Sequence, residues 1–468
     1  MDRKVSDCFT TVQGHLLLAV IIIFSLSTTV MGGALNLADN ALEVLSGVEP
    51  NIMVLSDDSG SMDWGVMTTE NEGTFLLGPW SYYYAHPNPG ASGTTSPSAN
   101  ISFYVVPSEE KLVSAGVPAP QGGVWRAWNA QYNRVYYNPE ITYIPWSGVD
   151  TTGTGYTNVS PSKAYYNPFV PSEGSLNLTT TTTYDTDCGL LADCTTAGLT
   201  GLFSVSDFYP ARYYIWIDAD NDSVVDEDDK HTLVEIRNSG CTAGAKCPST
   251  FVRPIHDENI GSGRSDCSTN NGDGTVTCNY NEEIQNFANW FSYYRKRELT
   301  AKAALSNVVE KNTTARIGYA TILNNASNAL QVASMNASSA SGNKKSLLDK
   351  IFSTYTTGPI NSTPLRVNLD AVGRYFECRS GDIFGSSADS TPGSVGCPVL
   401  ASPGGSCQGN YTVLITDGFY NQAVPATFVG NTDGSSNTNY DGGAFADTYS
   451  DTLADVAMSY YERDLHST

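Results

Sequence analysis

Positive charge is scarce in this 468-residue chain: 25 Lys and Arg stand against 48 Asp and Glu, a formal charge of -23. A surface of that sign repels a phosphate backbone, so nucleic acid is not an expected partner. Histidine is scarcer, at five residues. His15 lies in an amino-terminal apolar region and His466 near the other end, while His86, His231 and His256 have no Ser or Cys elbow beside them. Asp57 and Asp58 are adjacent at a strand end and point apart, so they do not make a catalytic carboxylate pair. No enzymatic activity is expected. The absence of any Cys-x-x-Cys pair speaks against a zinc site. Long apolar runs are missing too. Leu16 to Phe24 is broken at Ser25, Ser27, Thr28 and Thr29, short of the roughly 20 residues that span a bilayer.

That one run, preceded by Arg3 and Lys4 and followed by small residues to Gly33 and Ala34, reads as an export signal over residues 1–34. Export agrees with cysteine usage. Cys188 and Cys194, Cys241 and Cys247, and Cys267 and Cys278 are close neighbours in Gly-, Ser- and Asp-rich loops, which predicts three local disulfides. Cys378, Cys397 and Cys407 cannot all pair within the chain, so one thiol is left over. With 40% hydrophobic and 11% aromatic residues, the chain can bury a real core.

Asn51 to Ser56 is a short apolar run that stops at Asp57-Asp-Ser-Gly-Ser-Met62, a buried strand delivering a polar loop. From Thr68 to Glu282 helical periodicity disappears and β-type stretches such as Ile101–Val106 and Tyr213–Ile217 alternate with loops. Helical spacing resumes at Glu282 and one apolar face runs on to about Val309. A strand at Ala315–Ile322, helices near Lys344–Tyr355 and Pro364–Phe376, a strand at Tyr411–Ile415 and a helix over Asp451–Leu465 follow. This alternation predicts a doubly wound α/β domain, with ligands at the carboxyl ends of the strands. The domain is split: residues 35–67 and 283–468 form it, and 68–282 is a large β and loop insertion.

Asp57, Ser59 and Ser61 offer one carboxylate and two hydroxyls on alternate residues, a hard-oxygen set suited to a divalent cation. An Asx- or Ser/Thr-turn would use the same residues. The preceding strand, Thr363 opening a helix, and a second strand ending at Thr416-Asp417-Gly418 strengthen the metal reading. Asp218, Asp220, Asp222, Asp226 and Asp229 fall at positions 1, 3, 5, 9 and 12 of a calcium-type loop, with the Val224 carbonyl at position 7. Ser223 replaces the usual glycine at position 6 and the flanks read as strands, and a solvated acidic hairpin tip remains the alternative.

Asp57, Ser59, Ser61, Thr363 and Asp417 resemble, in order and element context, the metal-ion-dependent adhesion site of von Willebrand factor A domains. The blocks Pro50–Met53 with Asp57–Trp64, Tyr137–Trp146, Gln285–Tyr294, Cys407–Tyr411 with Thr416–Gly418, and Thr452–Met458 further resemble the amino-terminal half of the PilC/PilY family. The resemblance implies an A-like doubly wound sheet and an exported protein of the periplasm, outer surface or pilus tip. It implies adhesion or assembly work with type IV pili, minor pilins or a host surface as partners, and Mg or Ca presented to an acidic ligand group. A structural or mechanosensing protein whose cations only rigidify loops is the rival reading. The family's carboxyl-terminal propeller has no counterpart before Thr468. The A-like sheet is expected to lack its last strands, leaving an open edge.

Overall fold

The computed structural model describes residues 48–68, 75–77, 80–82, 85–86, 124–187, 202–219, 230–259, 261–323, 328–355, 363–418, 420, 429–434, 446–462 and 464–466. The expected export signal, the Ile101–Val106 stretch, Cys188 with Cys194, and residues 220–229 of the calcium-type loop lie outside the described residues.

The central strand is β1 (Asn51–Ser56), apolar in its middle and buried along nearly its whole length. It pairs in parallel with β2 (Arg316–Thr321) on one side and β4 (Asn410–Ile415) on the other. Asn51 lies opposite Arg316 and Asn410, and Ser56 opposite Thr321 and Ile415, so three carboxyl ends finish level. A fourth strand, β3 (Leu330–Ser334), runs antiparallel outside β2, giving the order β3-β2-β1-β4. The sequence reading passes over β3, because five residues at a sheet edge are too few to show a period. The β2–β3 register shifts between Ile317 and Tyr319. A Cβ on the intervening Gly318 would sit 2.9 Å from the Leu330 carbonyl oxygen, so glycine permits the close approach.

Alternation along the strands sends side chains to both faces. Val54, Ile317 and Tyr319 join Leu305 and Val309 of α2 (Arg297–Lys311) and Leu347 and Ile351 of α3 (Gly342–Ser353) in one core. Met53, Leu55 and Ala320 join Leu365, Val372 and Phe376 of α4 (Leu365–Phe376) in the other. Helices on both faces of a mostly parallel sheet are the α/β architecture that the alternation predicted. Within the described residues β4 is an edge strand, and its Tyr411 and Val413 are 39% and 45% exposed.

The single helical face anticipated from Glu282 to Val309 is two helices. The first, α1 (Tyr280–Tyr293), opens with a capping box in which the Asn279 side chain accepts from Glu282 N and Glu282 reaches back to Asn279 N. The break falls at Tyr294–Lys296, where Lys296 is extended at φ -125° and ψ 157°. Buried Lys296 pairs with Asp63 and, at 3.1 Å, with Glu298, which turns the start of α2 toward the loop after β1. The last helix, α5 (Leu453–Tyr461), is shorter than Asp451–Leu465, because a Thr452/Asp455 capping box sets its start.

The intervening region is β and loop, with antiparallel pairs Thr182–Asp187 with Leu202–Phe208 and Arg212–Ile217 with Lys230–Glu235. It shares a core with α1. Tyr136, Tyr137, Phe287 and Trp290 pack at ring separations from 4.8 to 5.9 Å. Asn286 accepts from Tyr143 N at 2.7 Å and donates to the Ile141 carbonyl at 2.8 Å, and Asn289 donates to the Tyr143 carbonyl at 2.9 Å. The Tyr137–Trp146 and Gln285–Tyr294 blocks are thus two sides of one interface.

Candidate metal centre

The site forms where β1 and β4 end level. Asp57 leaves β1 with its backbone N donating to the Ile415 carbonyl at 2.8 Å, which extends the ladder by one residue. Its Oδ1 accepts from Ser59 N at 2.7 Å and its Oδ2 from Thr416 Oγ1 at 2.7 Å. A one-turn 3-10 helix (Gly60–Asp63) brings Ser61 back toward β4. Ser59 Oγ lies 3.2 Å from Ser61 Oγ, and Ser61 Oγ donates to Asp417 Oδ1 at 2.9 Å. Four of the five anticipated ligands therefore form a continuous cluster of oxygens bridging two strands. Asp58 points away, its Oδ1 accepting from Leu323 N at 2.9 Å just past β2, which is the divergence expected of neighbouring strand-end carboxylates.

Thr363 is buried ahead of α4, with its carbonyl accepting from Leu365 N at 2.9 Å. Pro364 is the N-cap rather than a first-turn residue. Asn368, one turn on, donates to the Ile322 carbonyl at 2.8 Å, and Ile322 N donates to the Ser56 carbonyl at 3.1 Å. The amino end of α4 is thereby tied to the same sheet end as Asp57.

Burial pushes the Asp57 carboxyl above the ordinary aspartate value; its hydrogen bonds from Ser59 and Thr416 oppose the rise and the Asp417 charge adds to it. Sequence reasoning missed the cation that answers these charges. Arg297, at the start of α2, pairs with Asp417 Oδ2 at 2.5 Å and donates from Nε to the Val66 carbonyl at 2.9 Å. Its guanidinium stacks on Trp64, 4.7 Å from the ring centre. The signal available was the Arg295-Lys-Arg297 run between two helical stretches, in a chain poor in positive charge. Thr416, anticipated only as the end of the second strand, proves to hold Asp57.

Behind the loop is a cavity of about 20 Å³, lined by Asp57, Asp58, Lys302 and Tyr319 among others. That is room for one water. Among the described residues Lys302 Nζ has no hydrogen-bond partner, and it sits 3.7 Å from the Tyr355 ring centre; burial lowers its pKa to about 8.

The donor set fits a hard divalent ion: every anticipated ligand atom is oxygen, and a carboxylate that accepts two hydrogen bonds keeps lone pairs for a metal.

Comparison with known proteins bears on what this arrangement belongs to. No protein-family model matches the chain, and no solved structure matches it. Among curated proteins, the type IV pilus biogenesis factor PilY1 of Pseudomonas aeruginosa strain PAK is 24% identical over 458 residues, covering 93% of this chain and 30% of the relative. The factor of the same name from strain UCBPP-PA14 is 23% identical over 457 residues, covering 92% and 29%. That from strain PAO1 is 32% identical over 199 residues, covering 39% and 16%. The chain is similar over most of its length to members of the PilC/PilY family. It spans about a third of the length of the curated relatives that it matches.

Two of the anticipated disulfides form, Cys241–Cys247 and Cys267–Cys278, with Cα atoms 6.0 and 4.7 Å apart. The three remaining cysteines resolve into a Cys378–Cys397 bond and a free, exposed Cys407. Only Asp218 of the calcium-type ligand set falls among the described residues, at the end of the Arg212–Ile217 strand. Among the described residues no helix is long and apolar enough to cross a membrane.

Proposed function

We propose that this chain is an exported adhesion or assembly factor of type IV pili, with a von Willebrand factor A-like domain that holds Mg or Ca through Asp57, Ser59, Ser61, Thr363 and Asp417. The ion is presented to an acidic group of a ligand. Minor pilins and a host or other surface are the partners that this role needs, and the periplasm, outer surface or pilus tip is where it would act. The observation that carries the reading is the Ser59–Ser61–Asp417 run of oxygens at the level carboxyl ends of β1 and β4, where open α/β sheets bind ligands. The names of the relatives, type IV pilus biogenesis factors, support the pilus association. The acidic loop from Asp218 to Asp229 is proposed as a separate Ca site.

A rigidifying role for the ion is favoured by one fact: Asp57 and Ser59 are only 3% and 1% exposed. Calorimetric titration with Mg and Ca, together with retention on sheared pili, separates the two. Adhesion requires that wild type bind a cation, that Asp57→Ala and Asp417→Asn lose it, and that retention on pili fall with it. Binding that raises thermal stability while retention stays independent of cation assigns the ion to loop rigidity. If wild type takes up neither metal, both readings go.

A further inference from the structure

The carboxylates of a divalent-cation site set its affinity by how much net negative charge they offer. Asp57 and Asp417 supply that charge here, and Arg297 spends part of it. Its NH1 engages Asp417 Oδ2, the carboxylate oxygen that Ser61 leaves unused, since Ser61 takes Oδ1. The guanidinium is held from other directions as well. Nε donates to the Val66 carbonyl at 2.9 Å, the backbone N of Arg297 donates to the Trp64 carbonyl at 3.1 Å, and the Trp64 ring lies beneath it at 4.7 Å. The side chain of Arg297 is 4% exposed and that of Asp417 7%, so water screens the pair little. A guanidinium so tethered cannot swing out to solvent when an ion arrives.

We propose that Arg297 is a built-in competitor for the divalent cation at Asp417, which keeps the site weak and lets it fill only at the high cation concentrations found outside cells. The inference rests on the cation-site reading of Asp57 and Asp417. Arg and ion draw on one carboxylate: when the ion takes Asp417, the pair loosens and the stacking on Trp64 changes. Loops of this chemistry in extracellular modules bind Ca at about 0.1 to 1 mM, and a fixed positive charge inside the site works in that direction. An unscreened charge a few ångströms away is worth roughly one to two powers of ten in affinity.

The test is calorimetric titration of the full chain with Mg and with Ca, in wild type, Arg297→Gln and Arg297→Lys, alongside tryptophan fluorescence of wild type and Trp64→Phe. Competition predicts binding at least about tenfold tighter in Arg297→Gln and within about threefold of wild type in Arg297→Lys, which keeps the charge. It also predicts a cation-dependent fluorescence change that Trp64→Phe removes. Binding seen in Arg297→Gln but not in wild type supports it further. If wild type binds the ion and Arg297→Gln binds it equally, the competitor role is overturned while the cation site stands. If Arg297→Gln cannot be purified, a cation-dependent signal that Trp64→Phe leaves intact overturns the role. Absence of binding in all three chains removes the cation site and this inference together.

Discussion

Replacing Glu283 by Gln tests how the β and loop region is fastened to α1. Glu283 is fully buried on α1, with Oε1 accepting from Arg253 at 2.7 Å and from Tyr137 Oη at 2.9 Å, and Oε2 from Arg264 at 2.7 Å. The side chains of Arg253 and Arg264 are 10% and 0% exposed, so two cations share one buried anion. Arg264 has a second partner in Asp266, at 2.8 Å, and Arg253 has no other paired carboxylate among the described residues. Gln keeps the shape of the side chain, yet it removes the charge and turns an amide donor toward an arginine. Breaking a buried pair by removing one partner costs about 3–5 kcal/mol, a large part of the roughly 5–15 kcal/mol that holds a domain folded. Urea unfolding followed by tryptophan fluorescence reads this directly, because Trp290 and Trp146 lie in the same core. Glu282→Gln, which touches the exposed capping box and the Ser268 backbone N, is the control and is expected to lose about 1 kcal/mol. A loss below about 1 kcal/mol for Glu283→Gln would refute the reasoning, since it would mean that the pair is solvated in the folded protein.

Three further outcomes are expected. Because burial raises the Asp57 carboxyl above its unfolded value of 3.8, its contribution to stability is complete below that pH and is lost as pH rises through the folded value. Asp57→Asn should therefore unfold later than wild type in chelator at pH 7, match it in strong acid, and gain nothing from added cation, all measured by thermal melting. Burial, with the Arg295 and Arg212 charges, holds His86 at about 3 against the ordinary 6.5. Stability should fall by roughly 1.4 kcal/mol per pH unit as pH drops from 6.5 toward 3, and a pH series of urea midpoints should show a shallower slope in His86→Phe. A Cβ at Gly373 of α4 would overlap the Tyr460 ring of α5, whose hydroxyl donates to Asp370 at 2.8 Å. Gly373→Ala is expected to cost about 1–3 kcal/mol by overpacking, read as a lower unfolding midpoint.

By itself the sequence determined the elements with strong local signatures. The apolar run of β1 against the abrupt polarity of Asp57–Ser61, the strand ending at Thr416-Asp417, and the periodic faces of α2, α3 and α4 are all short-range patterns, written in consecutive residues. Close cysteine pairs at 241 and 247 and at 267 and 278 were legible for the same reason, since short loops leave few choices. What the tertiary structure decided depends on residues far apart in the chain. The edge strand β3 is too short to carry a period, and pairing with β2 defines it. The break between α1 and α2 follows from Lys296 meeting Asp63, 233 residues away, because a buried ammonium is stable only beside its counter-charge. The pairing of Cys378 with Cys397 rather than Cys407 is a matter of which thiols the fold brings together. Arg297 is the clearest case. The Arg295-Lys-Arg297 run marks it only as basic, and only the level ends of β1 and β4 place Asp417 within reach of a guanidinium held on Trp64.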